Sequence, residues 1–175
     1  MVGVLKRIFN GWVPKLNKEE RKLIDDYLDD AGKFLFSQMS KVDQRHCLTV
    51  AQTILTQAAY LRGVKIKALV KAALLHDIGK VEGDFTLISR LFVGVVRRFK
   101  PTLRGKLAIT NPKTSWEKIK YGCYVDLVHP ARGAHMAKIF GIESAVVEMI
   151  RRHHDPPRDG QSPELTWLQT ADSKN

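Results

Sequence analysis

The chain of 175 residues carries 29 basic and 18 acidic side chains, a net charge of +11, with 44% hydrophobic and 27% charged residues. That balance excludes a disordered chain, and the length suits a single domain with a real core. Cys47 and Cys123 are far apart and form no CxxC pair, which argues against a disulfide framework and for a reducing, cytoplasmic setting.

The opening MVGVLKRIFNGWVPKL has too short an apolar run for a secretory leader, and no segment approaches the roughly 20 apolar residues that span a bilayer. Asn17 with Glu20 forms a capping-box pattern ahead of KEERKLIDDYLDD. The stretch 42–61 places Cys47, Val50, Ala51, Ile54 and Leu55 at helical spacing, and Gly63 closes it. A helix over 66–78 ends in ALLHDIGK, where His76 and Asp77 stand side by side at positions the apolar pattern assigns to the core.

Leu87, Ile88, Leu91, Phe92, Val95, Val96 and Phe99 make an apolar stripe opposite Arg90, Arg97 and Arg98, and Pro101 stops that helix. Pro130 predicts the first turn of a further helix that runs to Phe140 and is closed by Gly141. His129 then stands immediately before a helix start. Two more helices cover 144–154, ended by DPP, and the stretch from Pro163 onward. With no β alternation and no internal repeat, the fold class is all-α: one domain over 1–175.

The charge is uneven. Between Phe85 and Lys120 nine basic residues face Glu117 alone, so this segment supplies +8 of the total. It reads as a basic insertion at about 85–120, either a solvated face or a lid over a site. An anionic partner suits it: a phosphorylated substrate, a nucleic acid or an acidic lipid surface. Trp12, Trp116 and Trp167 are too scattered for base stacking, so no specific nucleic acid is expected. Oligomeric state is left open.

Polar residues converge elsewhere. His76 and Asp77 lie at one helix end, His153 and His154 at another, and each pair is followed by a breaker, Gly79 or Pro156 with Pro157. His46 lies on an otherwise core-suited helix, and Asp172 in the terminal LQTADSKN. Imidazoles with carboxylates and no thiolate form the ligand set of iron or manganese, with zinc, nickel and magnesium as further candidates. His46, His76, Asp77 and Asp172 would hold one divalent ion. If His129, His153 and His154 converge too, two ions sharing Asp77 is the economical arrangement, one suited to cleaving phosphate esters or anhydrides. Lys80 can meet a phosphate oxygen as a point charge, and Arg132, one turn beyond His129, points at substrate or at water. His135 is expected at the surface or behind a ligand, and Cys47 as a small buried apolar residue.

QRHCLTVA, LLHDIGK and LQTADSKN together resemble the signature of the HD-domain phosphohydrolase superfamily: His, then His-Asp, then Asp, on an all-helical scaffold. The resemblance implies His46, His76, Asp77 and Asp172 as the core metal set. HPARG and RRHHD are similar to the extra histidines of the dinuclear subgroups, the HD-GYP cyclic di-GMP phosphodiesterases and the HD-type diadenosine tetraphosphatases. They imply His129, His153 and His154 as ligands of a second ion. QSPEL stands where the GYP triplet would, and Val42 rather than glutamate precedes His46 by four positions.

The expected function is hydrolysis of a nucleotide or other small phosphorylated metabolite by a metal-bridging hydroxide, with Asp77 and Lys80 as catalytic residues and Lys80 and Arg132 on the substrate. Two alternatives stand beside it. One is a dinucleotide hydrolase, acting on diadenosine tetraphosphate or a cyclic dinucleotide. The other is a non-catalytic nucleotide-sensing or lipid-docking module.

Overall fold

Helix follows helix along residues 15–175, the part of the chain that the computed structural model describes. The opening segment up to position 14, read above for a leader, lies outside the described residues. Helix α1 spans Lys18–Tyr27, α2 Asp30–Ser37, α3 Lys41–Gln57, α4 Ile66–Leu75, α5 Leu87–Phe99, α6 Leu103–Leu107, α7 Ser115–Ile139, α8 Ser144–Arg152 and α9 Pro163–Lys174. Among the described residues there is no strand, only one isolated bridge between Met39 and Val81. No helix among them is long and apolar enough to cross a membrane.

Local chemistry sets most boundaries. The capping box at Asn17 and Glu20 is formed, with the Glu20 amide donating to the Asn17 side chain at 2.8 Å and the Glu20 carboxylate accepting from the Asn17 amide at 2.9 Å. The expected single helix through KEERKLIDDYLDD is instead two. Leu28 is extended, and Asp29 accepts from the Gly32 amide at 2.8 Å to start α2. The helix expected over 42–61 runs as α3 to Gln57 and tightens into a short 3₁₀ turn, Ala58–Tyr60.

Pro130 corrects the sequence reading. It lies inside α7 rather than at a helix start, and His129 lies inside with it. The helix begins fifteen residues earlier because Thr114 and Glu117 form a capping box ahead of Ser115.

The core is built around α4. Its Leu69, Val70, Ala72, Ala73, Leu74 and Leu75 are all buried, as an all-round apolar helix requires. It packs against α1, α2, α3, α8 and α9, while α8 also packs against α7. Helices α5 and α6 lie together on α7, so the basic insertion is helical and docked.

Candidate metal centre

His46 comes from α3, His76 and Asp77 from the end of α4, His129 from α7, His153 and His154 from the end of α8, and Asp172 from α9. All seven expected residues meet where these five helices converge. His46, His76 and Asp172 form one group and His129, His153 and His154 another, the ligand atoms of each lying within 4.8 Å of one another. Asp77 stands between them. Its Oδ1 lies 3.2 Å from His129 Nε2 and 3.8 Å from His153 Nε2, while its Oδ2 lies 3.7 Å from His76 Nε2. Asp172 spans the groups as well: Oδ1 is 2.8 Å from His46 Nε2 and 3.6 Å from His76 Nε2, and Oδ2 is 3.6 Å from His154 Nε2.

One local device orients three of the rings. His76, His129 and His153 each donate Nδ1–H to the carbonyl three residues back: Ala73 at 2.8 Å, Asp126 at 2.9 Å and Ile150 at 2.7 Å. A carbonyl can only accept, so Nδ1 carries the proton and Nε2 faces the centre. Each carbonyl is free for this role because the ladder cannot fill it. Ala73 and Ile150 lie in the last turns of α4 and α8, where no amide follows four residues on within the helix. Asp126 lies mid-helix, but the residue four on is Pro130, which has no N–H.

This arrangement tests the fit of a cation. Burial, then the Lys80 ammonium, pushes His129 down to about 4, and burial with His76 and His154 holds His153 well below the usual histidine value. Both rings are therefore neutral near pH 7, and their Nε2 lone pairs face each other at 3.2 Å. His76 Nε2 and Asp77 Oδ1 are buried with no hydrogen-bond partner. The facing lone pairs of His129 and His153, with the Asp77 oxygen beside them, share no proton and call for a positive ion between them. At His76 burial opposes the charge, but Cys47, Asp77 and the contact with Asp172 raise its pKa well above the usual value, so an ion there would take the place of a proton. The donors fit a divalent cation.

The carboxylates stay ionised. Burial opposes this at Asp77, but Lys80 and then His76 outweigh it and hold the carboxyl well below the usual range. At Asp172 burial is likewise outweighed, by His154, His46 and His76. Lys80 donates to Asp77 Oδ2 at 2.7 Å; burial works against its charge, but Asp77 and then Asp43 keep the ammonium protonated. Arg132 pairs with Asp84 at 2.8 Å, in the loop after the His-Asp motif, and His135 is exposed. Cys47 is buried with Sγ 3.7 Å from His76 Nδ1, the nitrogen already bound to Ala73, so the thiol sits behind the ring.

Two supporting roles are added by the structure, one for Gly79, expected only as a breaker, and one for Gln169, which no motif marks. Gly79 is required by a close approach: a Cβ there would overlap the His129 carbonyl and lie 2.9 Å from the Gly133 amide. The signal was present as two glycines, one behind each motif. Gln169 on α9 donates to the carbonyls of Arg152 and Asp155, each at 3.0 Å, and ties down the turn that carries His153 and His154. Nothing in its neighbours along the chain marks it.

No curated protein and no solved structure matches this chain. Residues 44–174 match the family model of the HD domain, 131 of the 175 residues. Most of α3, helices α4 to α9 and every residue of the centre fall within that match, and the chain belongs to the HD-domain family of metal-dependent phosphohydrolases.

Proposed function

We propose that this chain hydrolyses a phosphate ester or anhydride of a nucleotide or other small phosphorylated metabolite at a centre of two divalent ions. The observation that carries the proposal is the pair of neutral buried rings, His129 and His153, whose Nε2 atoms face each other at 3.2 Å beside Asp77 Oδ1, itself buried without a hydrogen-bond partner. His46, His76 and Asp172 with Asp77 Oδ2 would hold one ion; His129, His153 and His154 with Asp77 Oδ1 would hold the other. Imidazole and carboxylate donors accept iron or manganese, with zinc, nickel or magnesium as further candidates. When bound, such ions polarise a phosphoryl oxygen and acidify a water.

The chain's own residues do the rest. Asp77 and Asp172 remain anionic and offset the positive charge, with one oxygen of each turned to either histidine group. The hydrogen bonds to Ala73, Asp126 and Ile150 hold three rings in the tautomer that presents Nε2. Lys80, protonated beside Asp77, is the cation that can meet charge developing on a phosphate oxygen. Arg132 would reach the substrate only by leaving Asp84.

The test is a turnover screen on anaerobically purified protein loaded with iron(II) or manganese(II). The substrates are nucleoside mono- and triphosphates, diadenosine tetraphosphate, cyclic dinucleotides and a generic phosphodiester. Cleavage of one class, lowered in Asp77→Ala by more than the roughly 10–100-fold typical of an outer-shell change, is the expected result. Nucleotide binding without turnover in metal-loaded protein would instead make the chain a sensing module.

A further inference from the structure

Helix α5 buries a face other than the expected one. Ser89, Val93 and Val96 are its buried residues, and they pack on α7 at Gly122, where an added Cβ would lie 3.1 Å from Val93 Cγ2 and 3.2 Å from Ser89 Cβ. Successive helical residues turn by about 100°, which puts Leu87, Leu91 and Val95 opposite that face and Ile88 and Phe99 to one side of it. Four of these are open to solvent: Leu87 49%, Ile88 62%, Val95 58% and Phe99 73% exposed. Phe92 carries the strip sideways onto α7, meeting Trp116 edge-on at 5.5 Å between centroids, and Trp116 is itself 53% exposed.

The rim of this strip is basic. Arg98 ends it in the last turn of α5, Lys100 follows, and Lys120 lies 5.6 Å from the Trp116 ring. Arg97, Arg98, Lys100, Lys106, Lys113 and Lys118 are all exposed, and α5 contains no acidic residue. Three basic residues of the segment turn to acidic partners: Arg90 to Asp43 at 2.6 Å, Arg104 to Asp126 at 2.6 Å and Arg97 to Asp126 at 4.0 Å. These contacts tie the inner side of the segment to the body and leave the outer side to something else.

We propose that the outer face of α5, continued by Trp116, docks this protein on an anionic lipid surface. An aliphatic and aromatic strip bordered by arginine and lysine suits the boundary between headgroups and acyl chains, where the strip enters and the rim meets phosphate. A nucleic acid would meet the charge but gain nothing from Leu87, Ile88 and Val95. A second copy placed face to face by a two-fold axis would set one basic rim against the other. The outer surface of α5 contributes nothing to the core, so substitutions there leave the fold intact.

The experiment is co-sedimentation of the full chain with vesicles of phosphatidylcholine alone or of two parts phosphatidylcholine to one part phosphatidylglycerol. Binding to the anionic vesicles only, weakened by salt, is expected. It should fall by about tenfold or more both in Ile88→Asp/Phe99→Asp and in Arg98→Glu/Lys100→Glu, each with an unchanged melting temperature. In a chain carrying Trp12→Phe and Trp167→Phe, the emission of Trp116 should shift to the blue on binding.

Equal binding to neutral vesicles would overturn the proposal, as would full binding by either double variant or an unshifted Trp116. Absence of vesicle binding overturns it too. If the chain then self-associates and Ile88→Asp/Phe99→Asp makes it monomeric, the face belongs to a second copy. All of these readouts are independent of turnover.

Discussion

At His76, His129 and His153 the same pair of atoms, a ring N–H and an orphaned carbonyl, decides which nitrogen the centre sees. The case of His129 is the most exposed to test, because a proline creates the orphan. Pro130→Ala restores an amide that competes for the Asp126 carbonyl. It removes a residue that costs a helix interior about 3 kcal/mol, so stability should hold or rise. Metal affinity should fall by roughly 10–100-fold, read by competition with a chromophoric chelator. An unchanged affinity would mean that packing alone orients the ring. The residue types of this device stand side by side in HPARG, but the sequence reading placed Pro130 at a helix start. A proline favours a first turn and is tolerated inside a helix only when something else takes the carbonyl it strands. That something, His129, was being read as a ligand alone.

Between elements, one buried cation does the joining. Lys71 on α4 has a side chain only 9% exposed, and its Nζ lies 2.9 Å from both Asp29 and Glu143. Asp29 caps α2 and Glu143 occupies the cap position of α8, so Lys71 fastens the starts of two helices to the core helix. Burial opposes the charge on Lys71, but Glu143 and Asp29 outweigh it and raise its pKa. The Gly32 amide and then Lys71 lower that of Asp29.

Two pH windows follow. The lysine's contribution is complete below its unfolded value of about 10.4 and is lost as pH rises through the higher folded value. That of Asp29 is complete above about 3.9 and is lost as pH falls through the lower folded value. Lys71→Met should therefore destabilise by about 1 kcal/mol at neutral pH, a figure kept small because both carboxylates are half exposed. The difference from the parent should narrow below about pH 4, measured by denaturant melts across pH. A gap that stays constant into acid would assign the loss to packing.

Across the whole molecule, five helices supply the centre, so whatever fills it joins α3, α4, α7, α8 and α9. An ion bound at a hundred times its dissociation constant adds about 2.7 kcal/mol of stability. For a chain of this size that raises Tm by roughly 5–10 °C, measured by calorimetry before and after chelation. Identical melting curves with and without metal would argue against a centre that spans the fold. Charge is organised at the same scale. The net +11 is gathered on the insertion, where Arg90, Arg97 and Arg104 have acidic partners and Arg98 and Lys100 are left outward.

By itself the sequence determined the helical class, most helix ends and the seven residues that meet at the centre. Caps, breakers and apolar periods act within a few residues, and ligand types are a property of each side chain. The tertiary structure alone decided three things. It turned one oxygen of Asp77 to each histidine group, ran α7 straight through Pro130, and buried Ser89, Val93 and Val96 of α5 in place of the broader stripe. Each of these depends on a partner distant in the chain. For α5 that partner is Gly122, whose missing side chain lets a narrow face approach and leaves the larger apolar residues outside. No periodicity within α5 contains that information.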